Sequence, residues 1–192
     1  MKKSARFNPL CYIRHDIDDV KLVTNIMANT KPKEGAPQDP FFDEAAGVLL
    51  QALIFYTVTV YENDKKHMNF RTIMELLKKA DFEIDPETMS KKESELDILF
   101  NNLEKKEEQR IRQERLSGKI PKPMSQAVVK YNSIMRGAAD TVRSIVITLD
   151  TRLSTLHTEE LLDLLSEDDI HIPELGMGVN FDKKTKTALF LS

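Results

Sequence analysis

Four histidines are the side chains in this 192-residue sequence that best suit metal or acid–base chemistry. His15-Asp16 has the form of the paired ligands of metal-dependent phosphohydrolases, but such a site needs further His and Asp ligands on neighbouring helices. His67, His157 and His171 are scattered over segments that we predict to be turns and loops. A structural or solvated role is the simpler interpretation for each of them.

The sequence contains no recognisable nucleotide-binding motif. A G-x-x-x-x-G-K-[ST] loop is absent, and the close pair Gly176 and Gly178 is not followed by Lys-Ser/Thr. Residues 145–150, IVITLD, imitate an apolar strand ending in a Mg²⁺-holding Asp, yet helical spacing on both sides favours a buried helical turn with Asp150 at its edge. We therefore predict that this chain is not itself an enzyme and holds no catalytic residue, cofactor or metal.

Residues 104–122 form the most informative charged segment. Seven basic residues stand against four acidic ones there, in a chain whose formal net charge is −3. The basic residues, our candidate binding residues, are Lys105, Lys106, Arg110, Arg112, Arg115, Lys119 and Lys122. The acidic residues are Glu104, Glu107, Glu108 and Glu114. Two interpretations stay open: a charge-driven contact to a nucleic-acid backbone or an acidic protein, or a solvated helix face with i to i+4 ion pairs.

The composition limits the number of domains, the kind of binding surface and the cellular compartment of this protein. The length suits one substantial core, and we predict one domain over residues 1–192. A pI near 5.9 argues against a protein whose whole surface binds nucleic acid, since such domains are strongly basic. The single Cys11 excludes an internal disulfide framework and fits a reducing cytoplasmic compartment.

Two stretches are predicted to form the scaffold. Residues 125–156 have the most sustained helical periodicity and read as two helices, or as one with a weak point at Gly137, around which the rest of the chain packs. Their apolar positions are Val142, Ile145, Val146, Leu149, Leu153 and Leu156. Residues 45–61 carry no charge, so a membrane span and a buried helix compete. The run is shorter than the about 20 apolar residues a span needs and contains several polar residues and a glycine, which favours a buried helix.

Start signals mark further helices. We predict one from Asp16 to near Thr30, one capped at Asp39-Pro40, one capped at Asn69, one from around Lys91 into the charged segment, and a short one after Thr158. Residues 166–186 are predicted to be a long polar loop. The expected fold class is all-α, a bundle of about seven helices with short extended or strand-like segments at the two ends.

The N-terminal and C-terminal segments suggest that the chain is part of a larger α/β protein. Residues 187–192, TALFLS, have the pattern of a central strand, yet no other segment offers a parallel sheet to receive it. Together with the extended pattern of residues 5–13, this predicts a helical insertion in an α/β protein, with residues 1–14 and 185–192 as stubs of the host sheet. Pairing of the two ends as a small ribbon is the alternative.

Several short motifs follow one another along nearly the whole chain. They are FNPL at 7–10, YI at 12–13, DPFF at 39–42, LLQAL at 49–53, NF at 69–70, ELL at 75–77, Tyr131, GAA at 137–139, Thr141, RSI at 143–145, Leu153, DDI at 168–170 and KTALF at 186–190. In this order they resemble the membrane-anchored coupling ATPases of type IV secretion and conjugative DNA transfer, especially those of Gram-positive mobile elements.

The resemblance implies that the chain is the all-α domain that these ATPases carry as an insertion in a RecA-like motor. In that family the motor forms a hexameric ring at the cytoplasmic membrane and holds the ATP and Mg²⁺. The all-α domain faces the cytoplasm, without membrane contact, and receives the relaxase with its single-stranded DNA and accessory processing proteins. Residues 105–122 look longer than the family pattern, so no contact is carried over to them.

Substrate recognition for conjugative transfer is therefore the predicted function. A free-standing helical DNA-binding regulator is the first alternative, although the basic segment lacks a helix-turn-helix context. A hydrolase of the His-Asp type is the second.

Overall fold

The structure is a computed structural model that describes residues 5–13, 16–30 and 39–177. The α-helices in these ranges are α1 (Asp16–Asn29), α2 (Pro40–Val60), α3 (Phe70–Lys78), α4 (Glu95–Leu116), α5 (Gln126–Met135), α6 (Ala139–Leu153), α7 (Glu159–Leu164) and α8 (Ile172–Met177). Two single turns of 3₁₀ helix cover Pro9–Tyr12 and Ser154–Leu156. The described part contains one isolated β-bridge and no strand, which confirms the predicted all-α class.

Helix α2 lies at the centre of the fold and contacts α1, α3, α5 and α6. The prediction that the chain packs around residues 125–156 was therefore wrong in its choice of centre. Residues 45–60 of α2 carry no charge and can pack against several neighbouring helices, whereas α6 keeps Arg143 and Asp150 exposed on its outer face. Helices α5 and α6 pack directly on α2, so the predicted pair of scaffold elements is confirmed.

Helix α2 is also the one described helix that is long and apolar enough to cross a membrane. Of its most apolar stretch, 56% is buried inside the protein. Its side chains at Leu49, Leu50 and Leu53 have no exposed surface. The helix occupies the place of a core helix, as its length and polar interruptions predict.

Residues 125–156 form two helices that meet at Gly137. The amide of Gly137 donates to the carbonyl of Ile134 at 3.2 Å, which ends α5. A Cβ at Gly137 would lie 3.3 Å from that carbonyl oxygen, so the tight turn favours glycine. Ile145 and Leu149 are buried within α6, and the predicted helical interpretation of residues 145–150 is confirmed.

The first helix turn of α3 depends on a buried cap. The side-chain oxygen of Asn69 accepts the amide of Thr72 at 3.2 Å, and its amide group donates to the carbonyl of Lys66 at 2.8 Å. The same position before α7 is Thr158, whose side chain makes no capping hydrogen bond.

We expect Asn69→Ala to lower the free energy of unfolding by about 1–2 kcal/mol, because it leaves the Thr72 amide without its partner. Thr158→Ala is the matched control and should change stability by less than about 0.5 kcal/mol. Urea denaturation followed by circular dichroism measures both. Equal effects at the two positions would contradict the assigned cap.

The N-terminal segment is extended at Asn8 and Ile13, with one 3₁₀ turn between them. It is attached by hydrogen bonds to α7 and to the turn before α3: the amide of Phe7 donates to the carbonyl of Leu164 at 2.8 Å, and the side chain of Asn8 donates to the carbonyl of Met68 at 2.7 Å. The predicted C-terminal strand and the stub at residues 185–192 lie outside the described residues.

The predicted polar loop at residues 166–186 was wrong in part, because α8 forms within it. The segment before α8 is held by Arg6, whose guanidinium binds the carboxylate of Asp169 at 2.9 and 3.0 Å. These hydrogen bonds from Arg6 hold the pKa of Asp169 below its usual value. The N-terminal segment and the segment before α8 therefore fix each other.

Candidate functional site

Helix α4 carries five of the seven candidate residues, and Lys119 and Lys122 follow its end. A capping box fixes where the helix begins. The hydroxyl of Ser94 accepts the amide of Asp97 at 3.1 Å, and the carboxylate of Asp97 accepts the amide of Ser94 at 2.7 Å. The predicted start near Lys91 was therefore wrong by four residues. Lys91 lies before the cap, in an isolated bridge with Ile84.

Only the first part of α4 is anchored in the core. Its 22 residues span about 33 Å, and its buried side chains are Leu96, Phe100 and Glu107. Beyond Glu107 no residue of the helix is buried. The second half of α4 and residues 117–125, which return to α5, together make an arm on the side of the bundle.

Two glutamates of the segment turn inward and hold α5. The carboxylate of Glu107, 8% exposed, accepts the amide of Ser125 at 2.7 Å. The carboxylate of Glu104 accepts the side-chain amide of Asn132 at 2.9 Å. Both negative charges are therefore occupied by donors of the same chain.

A third glutamate and one candidate arginine hold the returning residues. The carboxylate of Glu114 accepts the amide of Lys122 at 3.0 Å and the guanidinium of Arg110 at 3.0 Å, which keeps the pKa of Glu114 below its usual value. Arg110 also donates to the carbonyl of Pro123 at 3.1 Å. The side chain of Arg110 is therefore engaged within the arm.

The remaining six candidates are exposed and together form what we term the basic surface. Its residues are Lys105, Lys106, Arg112, Arg115, Lys119 and Lys122. Within the described residues, none of these six side chains has an acidic group at ion-pair distance, and Glu108 is the one exposed acidic residue of the segment. The solvated-face interpretation predicts i to i+4 pairs, but Arg110–Glu114 is the one formed here. The fold thus turns acidic groups inward and basic groups outward.

A buried polar cluster at the base of α4 was missed by sequence reasoning. The carboxylate of Asp97 accepts the ammonium of Lys91 at 2.6 Å and the hydroxyl of Tyr131 at 2.8 Å. Burial raises the pKa of Tyr131, and the nearby Asp97 carboxylate raises it further, so Tyr131 acts as a neutral donor. Asp97 thus binds both Lys91 and Tyr131, and the cluster joins α4 to α5.

The ion pair between Arg152 and Asp43 lies at a groove of about 540 Å³ between α1 and α2. The guanidinium of Arg152, 2% exposed, pairs with the carboxylate of Asp43 and donates to the carbonyl of Thr30 at 3.2 Å. The pair joins the end of α6 to the start of α2. Because its members are separated by 109 positions, the sequence offers no signal for it.

Two of the described histidines have separate acidic neighbours. His15 lies outside the described residues. His67 binds Asp64 at 2.6 Å on the surface, and His157 lies 3.7 Å from Asp150. In residues 5–13, 16–30 and 39–177 no group of three or more His, Cys, Asp or Glu side chains is arranged to hold a metal ion.

Comparison with protein families places the fold in a known context. Residues 1–191 match the family described as type IV secretory system conjugative DNA transfer. The chain belongs to this family. Comparisons with curated proteins and with solved structures give no match. The family predicted from the ordered motifs is therefore confirmed.

The motif residues of this conjugative transfer protein support its fold. Asp39 and Asn69 cap α2 and α3, and Leu49, Leu53 and Tyr131 are buried. The basic surface lies outside those motifs. The shared motifs therefore belong to the scaffold, and the α4 arm contains none of them.

Proposed function

We propose that this chain is the substrate-recognition domain of a conjugative type IV secretion coupling protein and docks the relaxase or another DNA-processing protein. The observation that supports the proposal most strongly is the sorting of charge on the α4 arm. Three glutamates are used inside the chain, which leaves six basic side chains facing solvent beside one acidic side chain.

Such an arrangement suits an anionic partner. Exposed charges of one sign raise the local concentration and the association rate of an oppositely charged partner, and the effect weakens with salt. The arm is also held in place, because Glu107, Glu114 and Arg110 bind the returning residues. A fixed surface loses less conformational entropy on binding than a mobile loop does.

The proposal includes the setting implied by the family. The chain is a cytoplasmic, non-catalytic domain of a parent anchored in the cell membrane, and the parent is a homo-hexameric motor that binds ATP and Mg²⁺ outside this fragment. The substrate is the relaxase, with its attached single-stranded DNA as a further contact.

The test is titration of the relaxase of the same mobile element into the purified chain. We expect binding in the micromolar range at low salt, and a dissociation constant about ten- to a hundredfold higher for Lys105→Gln/Arg112→Gln/Arg115→Gln/Lys119→Gln, since each exposed pair contributes roughly 0.2–1 kcal/mol.

A matched control removes the same number of charges from exposed lysines elsewhere. The control positions are Lys21, Lys65, Lys66 and Lys78. This variant should bind the relaxase within about twofold of the unmodified chain. Undetectable relaxase binding at low salt by the unmodified chain would contradict the proposal. Sequence-selective binding of duplex DNA that is tighter than relaxase binding would also contradict it, and would favour a free-standing DNA-binding regulator.

A further inference from the structure

The tip of the α4 arm exposes two aliphatic side chains amid its basic residues. Leu116 is 81% exposed and Ile120 is 97% exposed, the highest values among the large apolar residues that the structure describes. We infer that this tip binds an acidic protein segment carrying an apolar side chain, rather than a nucleic-acid backbone. The inference rests on the proposed function and specifies the chemistry of its partner.

The backbone turn that follows α4 is well defined. The amide of Gly118 donates to the carbonyl of Arg115 at 3.1 Å, and the amide of Lys119 donates to the carbonyl of Glu114 at 3.0 Å. This pair of bonds is the Schellman arrangement, with Gly118 at φ 74°, a region that favours glycine. The turn closes the helix and leaves Leu116 on its outer side.

The residues after the turn are held as well. The amide of Lys122 binds the carboxylate of Glu114, and Arg110 binds the carbonyls of Lys122 and Pro123. Ile120 therefore lies between two anchored points, at Lys119 and at Lys122. Its exposure follows from a fixed backbone path.

The composition of the arm separates the two kinds of partner. Residues 104–122 contain no Phe, Tyr, Trp or His, so the tip has no ring on which a base could stack. Aliphatic side chains gain free energy by leaving water for an apolar surface, which a phosphate backbone does not present. The basic side chains of Arg112, Arg115, Lys119 and Lys122 select for acidic groups around that apolar contact.

A variant that removes only the apolar contact tests the inference. We expect Leu116→Ser/Ile120→Ser to raise the dissociation constant for the relaxase about ten- to a hundredfold and to leave binding of a fluorescent single-stranded oligonucleotide unchanged within about twofold. Ile147→Ser, 59% exposed on α6, is the matched control and should bind both probes normally. Equal far-UV circular dichroism of all variants verifies folding.

The failures of the two proposals differ. Absence of relaxase binding by the unmodified chain contradicts the proposed function. Relaxase binding that is undiminished in Leu116→Ser/Ile120→Ser, or an equal loss of oligonucleotide binding, overturns the inference and leaves the proposed function intact.

Cross-linking identifies the partner's chemistry directly. A photoreactive amino acid at position 120 is activated in the complex with relaxase bearing its single-stranded DNA, and the product is analysed by mass spectrometry. We expect attachment to a relaxase peptide with net negative charge and an apolar side chain. Attachment to the DNA or to a basic peptide would overturn the inference.

Discussion

Leu53→Ala is expected to lower the free energy of unfolding by about 3–5 kcal/mol, the cost typical of truncating a fully buried leucine. Leu53 has no exposed surface and lies on α2, which contacts four other helices. Because neighbours on every side are fixed by their own helices, they cannot close the cavity. A domain is stable by only about 5–15 kcal/mol, so the change is a large share of the total. Urea denaturation measures it.

Val60→Ala on the same helix is the control for the Leu53 prediction. Val60 is the last residue of α2 and is 44% exposed. Its replacement removes little buried surface, and we expect a change within about 0.5 kcal/mol. A cost below about 1 kcal/mol for Leu53→Ala would show that α2 is not the centre of the core.

Asp97→Ala is expected to cost about 3–5 kcal/mol at neutral pH, because it leaves a nearly buried cation without its partner. The side chains of Lys91 and Asp97 are 10% and 15% exposed. The substitution also removes the capping acceptor for Ser94 and the acceptor of the Tyr131 hydroxyl. Asp81→Ala, at an exposed aspartate, is the control and should have an effect of at most about 0.5 kcal/mol.

The Asp97 prediction also has a pH dependence. Burial alone raises the pKa of Asp97, but hydrogen bonds from Lys91, Ser94 and Tyr131 outweigh it and leave the pKa below its ordinary value. A carboxyl with a lowered folded pKa stabilises the fold above its unfolded pKa of about 4 and loses that contribution as pH falls through the folded pKa. The difference between the unmodified chain and Asp97→Ala should therefore be constant near pH 7 and shrink below about pH 4. A difference that persists unchanged in acid would contradict the assigned contacts.

Helix boundaries were largely predictable because local chemistry sets them. Asp39 and Asn69 cap the helices that their positions predict. The start of α4 was misplaced because the capping box at Ser94 was not recognised as the stronger signal. Helix α8 was missed because Pro173 and Gly176 within six residues are typical of a loop. In the structure Pro173 lies in the first turn, where its missing amide costs nothing.

The centre of the fold was less predictable than its elements. Periodicity measures how sharply one helix face differs from the other, and residues 125–156 have such a face. Helix α2 contacts four other helices, so apolar residues lie on several of its faces and its periodicity is weak despite its high apolar content. The uncharged run of residues 45–61, rather than contrast between helix faces, was the signal that marked the centre.

The sorting of charge on the arm could not be predicted from spacing. Seven basic and four acidic residues alternate closely enough to neutralise one another along a helix. Their separation depends on partners that return from elsewhere: Ser125 lies 18 positions after Glu107, and Asn132 lies 28 positions after Glu104. Only the folded chain shows which charges remain for a partner.

Lysine acetylation of the chain with and without the relaxase tests the central claim most directly. Acetylation reports the accessibility of each ammonium group, and four lysines of the basic surface can be compared with four on other surfaces in one experiment. The former are Lys105, Lys106, Lys119 and Lys122, and the latter are Lys21, Lys65, Lys66 and Lys78. We predict that bound relaxase protects the first set and leaves the second labelled as in the free chain. A complex in which the first set is labelled as fast as in the free chain would contradict docking through the α4 arm.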